Sequence, residues 1–103
     1  MHVIARPTIV KAQHDYPNAS KWLDAWWYAA TKSRWEQLED VRVDYPATDQ
    51  VGRCLVFNVC GSTYRFIVKV SYANPWTNGT LFVKHFLTHA EYDKDRWKRD
   101  CCS

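Results

Sequence analysis

No stretch of 18 apolar residues occurs in this sequence, so no helix is expected to span a bilayer. The opening Met1-His2-Val3-Ile4-Ala5-Arg6-Pro7 has no basic segment followed by an apolar one. That argues against a secretory leader and for a cytoplasmic protein. There is no glycine-rich phosphate loop, no histidine–carboxylate set at metal-ligand spacing, no internal repeat and no low-complexity tract. No cofactor and no metal is therefore called for. The four cysteines, Cys54, Cys60, Cys101 and Cys102, form no CxxC pair, which excludes the usual zinc frameworks. Cys54 and Cys60 lie along one extended segment, too far apart to bridge directly, and Cys101-Cys102 sit together in a polar tail. The expectation is reduced thiols throughout. None stands at a spacing to histidine that marks a thiol nucleophile.

The chain has 103 residues, 47% of them hydrophobic and 24% charged, which fits one globular domain with one core. Residues 98–103 are expected to form a flexible tail. A net charge of +3 says little until its distribution is known. The acidic residues gather around Glu36 to Asp49 and Asp93 to Asp100. The span from Arg53 to Lys84, with Arg53, Arg65, Lys69 and Lys84, contains no acidic residue, so a weak net charge conceals a locally basic segment. Six Trp, six Tyr and four Phe bring aromatics to 16%, an excess that contact surfaces as well as cores favour.

Met1 to Ala5 is β-like. Pro7 suits a first helical turn, and a helical repeat runs to Tyr16 before Pro17. Asn18 to Ser20 can cap a second helix that reaches Lys32 or slightly beyond. Its apolar residues form two adjoining stripes, Trp22-Trp26-Ala29-Ala30 and Leu23-Trp27-Ala30, wider than a half-buried helix needs. Either the first helix and the Trp35 region cover both stripes, or one awaits a partner. Trp35 to Tyr45 is acidic and irregular, with room for one short helix, and Pro46 to Gly52 is turn-rich.

From Arg53 the period changes to 2. Leu55, Phe57 and Val59 alternate with Val56, Asn58 and Cys60, and Gly61-Ser62 reads as a hairpin turn. The next strand alternates Tyr64, Phe66, Val68 and Val70 with Arg65, Ile67, Lys69 and Ser71. Asn78-Gly79 is the strongest turn signal, and Leu81 to Leu87 is apolar on both faces, as a central strand is. Thr88-His89-Ala90-Glu91 is a capping box, opening a helix expected to continue to about Arg99. The order of elements gives an α+β fold around one antiparallel-rich sheet.

Three constellations can carry chemistry. Arg65 and Lys69 fall on the sheet face away from the helices. Lys84 joins them if Phe82 and Phe86 also point outward, giving a basic groove with aromatic flanks suited to a phosphodiester backbone and stackable bases. The plainer reading is that polar residues on a one-sided sheet simply face water. Second, His89, Tyr92 and Arg96 share one stripe of the last helix, beside free amides able to hold phosphate. They offer a proton-transfer group, a phenol and a phosphate clamp, although a histidine near a helix start is often only a surface residue. His85 alternates with Leu81, Val83 and Leu87 and is read as a structural residue pointing into the core. The third constellation is the double Trp stripe, an interaction surface if it stays uncovered.

Val56-Phe57-Asn58-Val59-Cys60-Gly61, Tyr64-Arg65-Phe66-Ile67 and Phe86-Leu87-Thr88-His89-Ala90-Glu91-Tyr92-Asp93, with Trp97-Lys98 beyond, resemble HigB-type toxins of the RelE superfamily. The resemblance covers essentially the whole chain and implies a compact RelE-like fold, with an N-terminal strand and two helices before the β-meander and short last helix. It implies the toxin of a type II toxin–antitoxin pair, an mRNA interferase that cuts mRNA in the ribosomal A site and inhibits translation. The implied partners are a HigA-type helix-turn-helix antitoxin and, only through that antitoxin, operator DNA; no membrane is involved. Transferred onto this sequence, Arg65 stabilises the scissile phosphate, and His89 and Tyr92 serve proton transfer and substrate positioning. Asn58, Lys69, Lys84, Lys94 and Arg96 are the RNA-binding candidates. The implied reaction is metal-independent attack of the ribose 2′-OH on the adjacent phosphate. A non-catalytic RNA- or protein-binding module of the same fold is the alternative.

Overall fold

The computed structural model describes residues 1–101. Period-2 alternation from Cys54 onward yields the three long strands of the sheet: β3 (Cys54–Val59), β4 (Tyr64–Ser71) and β5 (Thr80–Thr88), joined antiparallel. Two short strands complete it: β1 (His2–Ile4) runs parallel to β5, and β2 (Asp49–Val51) pairs antiparallel with β3. The order is β1-β5-β4-β3-β2, so the fold is α+β with a mostly antiparallel sheet, as expected. β2 lies where only a turn-rich connection is legible in sequence. It turns into β3 at Gly52, whose φ of +56° favours glycine and whose absent Cβ makes room for the Cys101 carbonyl.

The helices α1 (Arg6–Asp15) and α2 (Ser20–Lys32) cover one sheet face, and the short α3 (Leu38–Asp44) follows. Ile9, Leu23, Trp26 and Ala30 are wholly buried with Leu55, Phe57, Phe66, Val68 and Leu81 in this principal core. The Trp26 ring stands perpendicular to Phe66 at 4.7 Å between centroids, the edge-to-face geometry that aromatic quadrupoles favour. Trp22 packs on Tyr45, Phe57 and Phe66, and the Arg6 guanidinium lies 4.6 Å over Trp27. Trp35, 3% exposed, donates its indole N–H to Asp44 at 3.2 Å. Both stripes of α2 are thus packed against this chain's own residues. Trp22 and Trp27 are half-buried in these contacts.

Three expectations fail here, each for a local reason. A β-bulge at Ile67/Val68 sets Ile67 opposite His85 but Val68 opposite Val83, leaving Lys84 as the extra residue. An extra residue reverses which side chains face the core. Phe86 therefore turns toward the helices, with ring contacts to Tyr16, Tyr64 and Phe66, instead of flanking an outer groove. His85 turns outward rather than into the core.

The last helix is also shorter than expected. α4 spans only His89–Asp93, and Asp95 at φ +60° breaks it before a 3-10 helix, Arg96–Cys101. That break takes Arg96 off the stripe of His89 and Tyr92. With five residues, and with the Thr88 and Glu91 amides taken up by its capping box, α4 is too short to hold phosphate by its N-terminus alone. Thr88 Oγ1 accepts from the Glu91 amide at 3.3 Å, and the Thr88 amide donates to Glu91 Oε1 at 3.0 Å. Thr88→Ala should cost about 1 kcal/mol, the usual loss for an N-cap, read as a shift in the urea midpoint.

The third correction concerns cysteine. Cys54 and Cys101 form a disulfide between Cα atoms 5.2 Å apart. Spacing along the chain gave no hint, because the partners are 47 residues apart and meet only when the last segment folds back over β3. Residues 98–101 are therefore part of the folded domain, not a tail; Cys102 and Ser103, the rest of the expected tail, lie outside the described residues. Cys60 is a free, exposed thiol.

Candidate nucleic-acid interface

The sheet face away from α1 and α2 is not open along its length. Cys54, Val56, Ile67, Trp97 and Cys101 bury one another there in a second apolar cluster, with Val51, Leu87 and Tyr92 against it. The 3-10 helix thus covers the middle of the face and divides its polar residues into separate groups.

The first group stands at the β3–β4 turn. Asn58 and Arg65 are direct cross-strand partners. The Arg65 guanidinium carbon sits 5.2 Å over the Tyr92 ring, and Tyr92 in turn stacks on Trp97 at 5.0 Å with planes 13° apart. The Trp97 indole donates to the Tyr92 carbonyl at 3.0 Å. One arginine nitrogen, Nη1, is held by the carbonyls of Ser62 (2.8 Å) and Tyr64 (3.3 Å). Among the described residues Nε and Nη2 have no acceptor, and no carboxylate pairs with Arg65. A half-exposed guanidinium with two donors free and its plane braced on an aromatic ring is fitted for phosphate.

Lys69 belongs to a second group, at the other end of β4. It lies between Cys54 and Phe82 in register, and Lys84 Nζ is 5.9 Å from the Phe82 ring. Buried Ile67 separates this pair of lysines from Arg65, so the expected single groove is two basic patches.

Between β5 and the C-terminal 3-10 helix lies a cleft of about 190 Å³, lined by His85, Leu87, Glu91, Lys94, Arg96 and Trp97. A wider cleft of about 280 Å³ runs between α1 and β5 beyond the point where β1 stops pairing; Lys11, Tyr16 and Lys84 line it, and it shares His85, Leu87 and Glu91. Burial, and then the charge of Glu91, push the Tyr16 phenol up, so it remains a proton-bearing donor there at neutral pH. His89 lines neither cleft. It is well exposed and pairs with Asp93 at 3.3 Å on α4. The structure therefore brings Arg65, Asn58 and Tyr92 together, gathers Lys94 and Arg96 around a cleft, and leaves His89 on the rim.

Residues 19–95 match the model of a family described as HigB toxin, the RelE-like toxic component of a toxin–antitoxin system. The chain belongs to the HigB toxin family. It is also 28% identical over 97 residues to mRNA interferase HigB of Escherichia coli O6:H1 (strain CFT073), an alignment covering 91% of this chain and 90% of that protein. As a HigB-family toxin it has an antitoxin for a partner. No helix among the described residues is long and apolar enough to cross a membrane.

Sequence reasoning missed a histidine of this toxin's cleft and the carboxylate that holds it. His85 Nε2 and Asp100 Oδ2 are 2.6 Å apart. The bulge hid His85 behind an alternation that assigned it to the core. Asp100, 15 residues on, could be found only through the fold-back of the 3-10 helix.

Proposed function

We propose that this HigB-family toxin is an endoribonuclease that cuts mRNA on the ribosome, in the A site, and so stops translation. The observation that carries the reading is Arg65, an unpaired cation braced on Tyr92 beside Asn58. The mRNA interferase activity for which the E. coli relative is named supports it. The ribose 2′-oxygen attacks the adjacent phosphorus, the bond to the 5′-oxygen breaks, and a 2′,3′-cyclic phosphate and a 5′-hydroxyl result. Arg65 compensates the charge that builds on the phosphorane-like transition state, where a preoriented cation acts most strongly. Tyr92 or His89 protonates the leaving 5′-oxygen. Asn58, Lys94 and Arg96 hold the strand near the clefts, and Lys69 and Lys84 attract its backbone at the far patch. Cationic charge comes from side chains, so cleavage should persist in EDTA once ribosome integrity is controlled for. The proposed partner is a HigA-type helix-turn-helix antitoxin, through which alone the toxin reaches operator DNA, and the site of action is the cytoplasm.

Induced expression with and without the adjacent antitoxin gene, followed by mapping of mRNA 5′ ends, tests this. Expected are new 5′ ends within translated codons and growth arrest, both suppressed by the antitoxin. RNA binding with intact transcripts and normal growth would leave a non-catalytic binding module instead.

A further inference from the structure

His85 is the one histidine set in a cleft and held by a carboxylate. Its side chain is 33% exposed and its Nε2 is 2.6 Å from Asp100 Oδ2. Nothing among the described residues bonds Nδ1. With Nε2–H donating to Asp100, Nδ1 is the nitrogen with its lone pair free, and the carboxylate fixes that tautomer and the ring's orientation. Asp100 is itself anchored by its neighbour Cys101, buried and disulfide-bonded to β3. The pair is partly exposed, and such pairs contribute little to stability, so holding the fold together does not account for it.

Position gives the pair a task. Leu87 is directly opposite Arg65 across β4 and β5, and His85 lies two residues before it on the same face. Diagonal neighbours of this kind are roughly 7–8 Å apart, a span across which one group can hold a phosphate and the other reach the adjoining ribose. The charged groups around His85 are Asp100, bonded to it, Glu91, Lys94 and Arg96 in the narrower cleft, and Lys11, Asp15 and Lys84 in the wider one. Lys94 and Arg96 line the narrower cleft with His85 and supply positive charge there for a phosphodiester backbone.

Building on the endoribonuclease reading above, we infer that His85 is the general base of the cleavage, with Asp100 as its positioning residue. Nδ1 takes the 2′-OH proton as the 2′-oxygen bonds to phosphorus. The P–O5′ bond breaks, and the 5′-oxygen takes a separate proton from Tyr92 or His89. The histidine then returns its proton to water. The assignment splits the two proton transfers between the cleft and α4.

Single-turnover cleavage of mRNA in programmed ribosomes is the test. His85→Ala and His85→Gln should each slow the step about 100-fold, the low end for general base loss, with ribosome affinity within about threefold. Added imidazole should restore part of the His85→Ala rate. Asp100→Asn should lower the rate constant and leave affinity unchanged. The His85→Ala defect should persist on a substrate whose leaving 5′-oxygen is replaced by sulfur, which needs no proton. Wild-type rates in both His85 variants, a loss confined to affinity, or recovery on the sulfur substrate would overturn the assignment. Failure of the wild-type toxin to cut any mRNA would overturn the endoribonuclease reading itself.

Discussion

Replacing Arg65 by alanine should slow single-turnover cleavage by about 10²–10³-fold, the loss seen when one preoriented transition-state donor is removed. Growth inhibition should be relieved while the antitoxin still binds. The size of the effect follows from how the guanidinium is held. Nη1 is fixed by two carbonyls of its own turn, which orients Nε and Nη2 outward without neutralising them. The Tyr92 ring beneath is stacked on Trp97, itself 2% exposed, so the platform is rigid down to the second core. Orientation set in advance means little of the binding free energy is lost to ordering the side chain. Arg65→Lys keeps the charge but not the planar fork, so its rate should fall between wild type and alanine. Tyr92→Phe retains the ring under Arg65 and removes only the phenol. If Tyr92 supplies the leaving-group proton, that variant should lose rate without losing substrate affinity. Full toxicity of Arg65→Ala, with normal expression, would sink the phosphate role.

The parts of this molecule legible in sequence are those set by local pattern. The period of Leu55, Phe57 and Val59 defines β3 and its core face, and the Thr88–Glu91 capping box starts α4 where expected. Asn58, Arg65 and Tyr92 come together because alternation across an unbroken register and one helical turn suffice to align them. What was not legible depends on contacts far apart in the chain or on one extra residue. The bulge at Ile67/Val68 leaves no compositional mark, since Lys84 is as acceptable in a regular strand as in a bulge, yet it exchanges the faces of Phe86 and His85. β2 is a three-residue edge strand in which only Val51 is partly buried, too little for an alternation to report it. From Asp93 the sequence predicts a continuing helix to about Arg99 and a flexible tail over residues 98–103, not a fold-back over the sheet. Among the described residues only Trp97 and Cys101 are buried there, and two apolar anchors in an otherwise charged segment do not make a period.

Those two anchors make the C-terminal segment the part most sensitive to a single change, and Cys101, through its disulfide, is the stronger of them. Replacing Cys54 and Cys101 together by alanine should destabilise the domain by about 4 kcal/mol, the chain-entropy value for a closed loop of this size. The loop encloses 47 residues of separation, including β3, β4, β5 and α4, so the cross-link restricts nearly half of the unfolded chain. The urea midpoint should fall by roughly 2 M at an m-value near 2 kcal/mol/M. Treating the wild-type protein with a dithiol should produce the same shift, because reduction removes the same constraint. An identical midpoint with and without reductant would show that the bond is absent from the folded protein. The loss should also be uneven across the structure. Trp97 keeps its stack on Tyr92 and its indole bond to the Tyr92 carbonyl, whereas Arg53 loses a fixed acceptor in the Cys101 carbonyl. Amide exchange should therefore quicken at Arg53 and along residues 98–101 well before it does at β4, since local opening follows the weakest set of contacts. Asp100 lies within that segment, so its hold on His85 weakens while the Arg65–Tyr92–Trp97 stack remains. A toxin without this cross-link should then bind its substrate normally and cut it slowly, which separates the role of the C-terminal segment from that of Arg65.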